Sequence, residues 1–450
     1  MNRQMAIPKR RGLLIHPAVA MVAFWSLLYA VYWLAPIRQT PAVSIEGFAF
    51  TAMFVVLFAV SAWLSSVPLP GRRRSSLLQL PGNTRFNHSR LIAMLALIGC
   101  AGALMSIISK SSAAPLAALI DAAALRNERA QQLLDADTLT SGPLSALAFL
   151  LYPAGFPAIF AAVLSYEKLD ARTRAVALLY VPLAFLQSVV AGGRSGILVL
   201  LILIAIATYV RHHCGLPRMP KSKAVKWTSL VLATAFLLYS TAVWFVRAAL
   251  SELTSDAFLE LAEQSWGVTP NPILESLANI LGLPGLVQNV MSTLFYFTQS
   301  LSVTERVLTM PSSPILLGAY HIDIVAAAMR VTSSSRDFLA NGYASLLDAN
   351  VYGFFTGAWS ALYIDFGLIG AMLYTVVWGV LAGRAFRLMV RVGSDDHAAM
   401  YGFSIYAVLV SFVSPPLGFS NSALTLFWFI VFAVGIRRRP IRRRSTAVLT

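Results

Sequence analysis

A few polar groups stand out in a chain that is otherwise poor in them: Arg194, Arg306, His321, Asp323, Arg330, Arg336 and Asp365. His321 and Asp323 lie two residues apart, and a histidine beside a carboxylate is a pairing that can take up a proton as a general base. Polar loop surface is the competing reading of these two residues. The arginines suit another task, because a guanidinium presents a planar fork of donors that grips phosphate or carboxylate oxygens in pairs. Arg194 sits in the run Ala191-Gly192-Gly193-Arg194-Ser195-Gly196. Glycines there let the backbone turn tightly and expose N–H groups, and such a turn beside a guanidinium suits an oxyanion or phosphate. An arginine that merely snorkels to a membrane interface is the alternative.

The elements that position these groups are set by composition. Hydrophobic residues make up 58% of the 450 and charged residues 12%, with a mean hydropathy of +0.70. Soluble domains are nearer half apolar and a quarter charged. The expected fold class is therefore all-α, a polytopic integral membrane protein, since an open sheet leaves backbone groups unsatisfied in lipid. The net charge of +16 is not a nucleic-acid signal, because most basic residues lie in short loops between apolar runs. Two cysteines, Cys100 and Cys214, point to neither a disulfide framework nor a metal cluster. The apolar run from Pro17, behind Lys9-Arg10-Arg11, is too long for a signal-peptide core and no A-x-A site follows it, so it is expected to stay as a span.

A span needs about 20 mostly apolar residues. Ten runs qualify: 17–35, 45–66, 91–109, 144–165, 173–191, 195–210, 227–249, 360–383, 397–414 and 419–436. With the N-terminus inside, the inner segments hold 26 of the 35 Lys and Arg, which predicts both termini on the cytoplasmic side. The organisation that follows is seven spans over 1–249, a long outer segment over 250–356, and three spans with a basic tail over 357–450. The tail, with Arg437-Arg438-Arg439 and Arg442-Arg443-Arg444, reads as an anchor on anionic lipid.

Residues 111–143 mix charges with leucines and read as an interfacial helix. In the long segment, Leu286, Val290, Leu294, Phe297 and Leu301 recur at helical spacing opposite Gln288, Ser292 and Gln299. That predicts an amphipathic helix lying on the membrane or packed onto the spans, bounded by Pro284, Pro311 and Pro314. Glu252, Asp256, Glu260 and Glu263 share a face that reads as solvated acidic surface. Asp365 lies a few residues into an apolar run. A carboxylate deep in a bilayer costs about 2.5–3.5 kcal/mol on insertion scales, and the free N–H groups of a helix start offset part of that. The bland reading of Asp365 is a helix-start carboxylate or the partner of an arginine.

Two stretches match a known pattern. Gly192-Gly193-Arg194-Ser195-Gly196-Ile197-Leu198 opens one span, and Asn350-Val351-Tyr352 followed by Tyr363-Ile364-Asp365-Phe366-Gly367-Leu368-Ile369-Gly370 leads into a late one. Together with the overall topology, the chain resembles the Wzy-type oligosaccharide repeat-unit polymerases. The resemblance implies a bacterial inner-membrane glycosyltransferase that polymerises repeat units linked to undecaprenyl diphosphate, as donor and acceptor, at the periplasmic face. It implies that Arg194 is the arginine of an earlier loop and Asp365 the acidic residue of the D-F-G run. Arg247, Arg306, Arg330, Arg336, Asn350 and Tyr352 become candidates for holding diphosphate or glycan, with His321 and Asp323 candidates for the base. A flippase and a chain-length regulator are the implied partners besides membrane lipids, with no nucleic acid. No cofactor is expected. No metal is expected either, since no His, Cys and Asp cluster with ligand spacing occurs on the outer side and arginines supply positive charge instead.

Two other readings stay open. A ligase of the O-antigen class shares the donor and loop architecture and differs in acceptor. A lipid or solute transporter needs no catalytic residue at all. A GT-C glycosyltransferase fits less well, because it calls for acidic residues in a large first outer loop, and here that loop is only 36–44.

Overall fold

The computed structural model describes residues 14–67, 85–111, 142–191, 195–218, 262–282, 285–351 and 355–437, with isolated positions between 226 and 260. Arg194, Arg247 and Tyr352 lie outside the described residues, as do residues 112–141, most of the expected seventh span and the arginines after Arg437. In chain order the first helices are α1 (Pro17–Leu34), α2 (Ile45–Ser66), α3 (Arg85–Ser111), α4 (Pro143–Leu151), α5 (Gly155–Leu164), α6 (Ala171–Val190) and α7 (Ser195–His213). The long segment contributes α8 (Pro272–Leu281), α9 (Gly285–Thr309), α10 (Asp323–Met329) and α11 (Ser333–Asp348). Then come α12 (Gly357–Arg391), α13 (Asp395–Leu409) and α14 (Ser422–Arg437). Two short strands complete the set, β1 (Ile37–Gln39) and β2 (Val268–Pro270).

Among the described residues seven helical runs are long and apolar enough to cross a membrane, α4 and α5 counting as one run through the turn at Tyr152–Ala154. They correspond to the first six expected spans and the eighth. The chain is thus an all-α, multi-pass membrane protein. The expected ninth and tenth spans are shorter than drawn from the sequence. As α13 and α14 they hold 15 and 16 residues, about 24 Å against about 30 Å of hydrocarbon.

Local sequence explains the helix starts. Pro17 sits at the first helical position of α1, and the His16 ring accepts the Ala18 N–H at 3.1 Å. Ser44 caps α2 by accepting from Gly47 N at 3.1 Å, and Asp170 caps α6 by accepting from Thr173 N at 3.4 Å. Lipid tails give no hydrophobic drive between helices, so small residues set their contacts. A β-carbon on Gly383 would fall 2.1 Å from the Ala62 carbonyl oxygen, and one on Gly379 2.7 Å from that of Phe58, so α12 lies directly on α2. Gly102 meets the Tyr152 backbone in the same way, seating α3 on the α4–α5 pair. Between α1, α2 and α12 the core is aromatic. Phe54 stacks on Trp359 at 5.6 Å, and Phe58 meets Trp378 edge-on at 4.8 Å.

The long segment is tied down rather than appended. β1 and β2 pair antiparallel, with Ile37 opposite Pro270 and Gln39 opposite Val268. That places the loop after the first span and the long segment on one side of the helical body. Two small cores lie beneath the segment, one around Val268, Leu274, Met291 and Phe295, the other around Val303, Leu316, Leu339 and Ile364.

The helix expected over 286–301 is present as α9, but its orientation differs from the sequence reading. Its buried line runs through Val287, Met291, Phe295, Thr298 and Ser302. Of the expected apolar stripe Leu301 is buried as well, Leu286, Val290 and Leu294 are half-buried, and Phe297 is 40% exposed. Ser292 and Gln299, expected on the outer face, are buried. The reason is that α9 packs against α1, α2 and α12. Polar side chains on its inner face find partners there: Gln39 donates to the Thr298 hydroxyl at 2.6 Å, and Thr304 and Ser360 share a hydrogen bond at 2.6 Å.

Candidate functional site

The site begins with a break in a helix. Within α12, Gly367 has φ 64° and ψ −177°, a backbone state that is essentially glycine's alone. Helical bonding fails around it, and the carbonyls just before it need other donors. Leu316 N donates to the Ile364 carbonyl at 3.1 Å and Leu317 N to that of Asp365 at 2.8 Å. The loop before α10 is thereby laid across the break.

The same loop closes on the Asp365 side chain. Oδ1 accepts N–H groups from Gly318 and Tyr320, each at 2.9 Å. Oδ2 accepts the His321 N–H at 3.1 Å and is hydrogen-bonded to His321 Nδ1. Both side chains are buried, Asp365 completely. The loop can turn this way because Leu317 and Gly318 both adopt positive φ, 55° and 95°. It is pinned from outside by the Tyr343 hydroxyl, which donates to the Ala319 carbonyl at 2.9 Å.

Asp365 therefore differs from the helix-start reading. It lies eight residues inside α12, about 12 Å along the axis, and the N–H groups that hold it come from another segment. His321 also differs from its expected pairing. Its carboxylate partner is Asp365, whereas Asp323 sits exposed in the first turn of α10, with His321 and Arg330 as its charged neighbours.

The imidazole is enclosed by Phe366 and Tyr374, edge-on at 5.9 and 5.8 Å. On another side comes the turn between α13 and α14, where a β-carbon on Gly418 would stand 2.7 Å from the His321 carbonyl. Its Nε2 atom is buried without a hydrogen-bond partner. A buried polar group left so costs about 1–3 kcal/mol. With Nδ1 engaged by the carboxylate, Nε2 is the nitrogen able to accept a proton.

The arginines are placed differently. Arg306 donates to the carbonyls of Asn350 at 2.8 Å and Trp266 at 3.0 Å, joining α9 to both ends of the long segment. Burial lowers its pKa somewhat from the usual arginine value. It also lines a cavity of about 380 Å³ with Thr40, Glu263, Gln264, Gly267 and Asn350. Asn350 is exposed, with φ 53°. Arg336 is exposed on α11 and reaches the Arg330 carbonyl at 3.4 Å. The structure thus joins His321 to Asp365 and Arg306 to Asn350.

Sequence reasoning passed over several buried charges, Glu305 and Arg211 among them. Glu305 accepts from Ser44 N at 3.0 Å and Ser44 Oγ at 2.8 Å, tying α9 to the start of α2. Its signal was the polar line Thr298, Ser302, Glu305 and Thr309 at helical spacing. Arg211, fully buried, forms a two-bond pair with Glu167 at 2.6 and 3.0 Å. In the sequence it is one of the 26 basic residues of the inner segments, with nothing local to mark it as buried.

Comparison of the chain with family models, with curated proteins and with solved structures found no match.

Proposed function

We propose that the chain is a membrane glycosyltransferase that polymerises polyprenyl-diphosphate-linked oligosaccharide units on the side of the membrane bearing residues 250–356. The observation that carries this reading is the buried His321–Asp365 pair with its unpartnered Nε2. Asp365 fixes the ring tautomer through Nδ1, and Nε2, which an acceptor reaches only when the Phe366 and Tyr374 rings and the Gly418 turn part around it, takes the proton of the acceptor sugar hydroxyl. The hydroxyl oxygen then bonds to the anomeric carbon of the donor glycan. The bond from that carbon to the diphosphate breaks, and the electron pair leaves with the lipid diphosphate. A departing diphosphate needs cationic donors, which is the role of Arg194 in this reading. The polar cavity beside Arg306 offers the mixed donors and acceptors that glycan hydroxyls require.

The test is to incubate the purified protein in vesicles with lipid-linked repeat units and resolve the products on a gel. A ladder of multiples is expected. Single units left unchanged, with the protein intact, would remove polymerisation. His321→Ala, present in the membrane at normal levels, should lose about 10²- to 10⁴-fold in rate. A full ladder from that variant would take the base away from His321.

A further inference from the structure

The short helix α8 carries an apolar face that the protein only half covers. At about 100° per residue, Ile280, Ile273, Leu277, Leu281, Leu274 and Ala278 form one continuous arc of about 160°. Leu274 and Ala278, at one edge, are buried against Ile37, Val268 and Met291. The rest of the arc faces outward: Ile273 is 73% exposed, Leu277 47%, Ile280 81% and Leu281 53%. Glu275, Ser276 and Asn279 occupy the opposite side. In water, four such side chains on ten residues would be an unexplained hydrophobic patch.

The height of α8 is fixed by its attachments. Its cap residue Asn271 donates its backbone N–H to the Pro36 carbonyl at 3.0 Å, two residues beyond the end of α1. The β1–β2 pairing immediately before α8 holds the same register. At that level Trp33 is 70% exposed, Leu34 82% and Ile45 87%, where α1 ends and α2 begins. Exposed tryptophan and aliphatic residues at the mouth of two spans mark the boundary between hydrocarbon and headgroups. α8 starts level with the end of α1, so its open edge lies beside this belt of exposed apolar residues.

We infer that α8 is an interfacial foot, with Ile273, Leu277, Ile280 and Leu281 seated in the bilayer surface beside the outer end of α1. Amphipathic helices bury their apolar faces about 5–10 Å into this boundary. The foot holds β2, and with it the Thr40 and Gly267 side of the polar cavity, at headgroup depth; Thr40 N donates to the Gly267 carbonyl at 2.6 Å. This inference does not depend on the glycosyl-transfer reading.

The test uses the full chain with Cys100→Ala and Cys214→Ser, spin-labelled at a single cysteine placed at 280 or at 279. The protein is reconstituted in vesicles of phosphatidylethanolamine and phosphatidylglycerol, and collisions with oxygen and with a water-soluble nickel complex are compared. A label at 280 should collide more with oxygen than with nickel, and one at 279 the reverse. Equal, nickel-dominated collisions at both positions would overturn the foot. So would dipolar broadening at 280 that disappears on dilution with unlabelled protein, since a second copy would then cover the face. If the cysteine-free background fails to fold, a benzoylphenylalanine photocrosslinker at 280 in the natural chain answers the same question. Adducts of phospholipid mass support the foot, and adducts to protein, or none, reject it.

Discussion

His321 Nδ1 is hydrogen-bonded to the Asp365 carboxylate across 44 residues of sequence, and three backbone N–H groups of the histidine's own loop converge on the same two oxygens. Each carboxylate oxygen takes two of these bonds. An amide in place of the carboxylate would turn its NH₂ toward two donors, leaving buried N–H groups unmade at about 1–3 kcal/mol apiece. Asp365→Asn should therefore lower the melting temperature and abolish the product ladder together. Thermal unfolding in detergent and the ladder assay check it. An asparagine variant with the wild-type melting point would mean that the loop does not depend on this charge.

The break at Gly367 should matter separately from the carboxylate. Any other residue there is strained by about 1–3 kcal/mol, because φ is 64° with ψ near 180°. Space does not limit the site, since a β-carbon would meet only Ile315 Cδ1 at an ordinary 3.7 Å. Gly367→Ala is expected to insert normally and unfold at lower temperature. Its product ladder should shorten as the break straightens and Asp365 turns from its loop. Unchanged stability would show that α12 tolerates a residue with a side chain at its break.

The spans were legible because an apolar run of span length carries its own signal, as at Ile45–Ser66. Asp365 and His321 were each visible as polar groups out of place, yet their pairing was not. It depends on a glycine-permitted break in α12 and on a loop with positive φ at Leu317, and neither leaves a periodic trace. Nearness in sequence favoured Asp323 as the partner of His321, whereas tertiary folding brought Asp365. On α9 the apolar period was real, but it did not tell which face packs inward. In a membrane protein a polar line such as Thr298, Ser302 and Glu305 can be the buried one.

The contact between α2 and α12 yields a prediction about insertion and packing. A β-carbon on Gly383 would stand 2.1 Å from a backbone oxygen of Ala62, which cannot rotate away. Gly383→Val should cost at least the about 1–3 kcal/mol typical of overpacked cores. Gly142→Ala, where nothing lies within 4 Å of the added carbon, is the control and should be silent. Melting temperatures of the two variants decide the matter, and equal values would mean that the helices are not in tight register.

The pair Glu167–Arg211 predicts a pH dependence. Arg211 is fully buried and also donates to the carbonyls of Val163 at 2.7 Å, Leu164 at 3.1 Å and Pro217 at 3.1 Å. Burial alone would raise the Glu167 pKa, but the hydrogen bonds and charge of Arg211 hold it below its ordinary 4.5. A carboxyl lowered on folding contributes its stability in full above the unfolded value, and that contribution fades as pH falls through the folded one. Other carboxylates titrate in the same range, so the informative quantity is the difference in melting temperature between wild type and Glu167→Gln. That difference should be largest near neutral pH and shrink as the pH drops below about 4.5. Its size stays under the about 3–5 kcal/mol of a wholly buried pair, because the Glu167 side chain is 46% exposed and water screens it. Arg211→Lys should fall short of wild type at every pH, since an ammonium has three donors for five contacts. A difference between wild type and Glu167→Gln that stays constant from neutral to acid pH would show that the glutamate acts by packing and not through its charge.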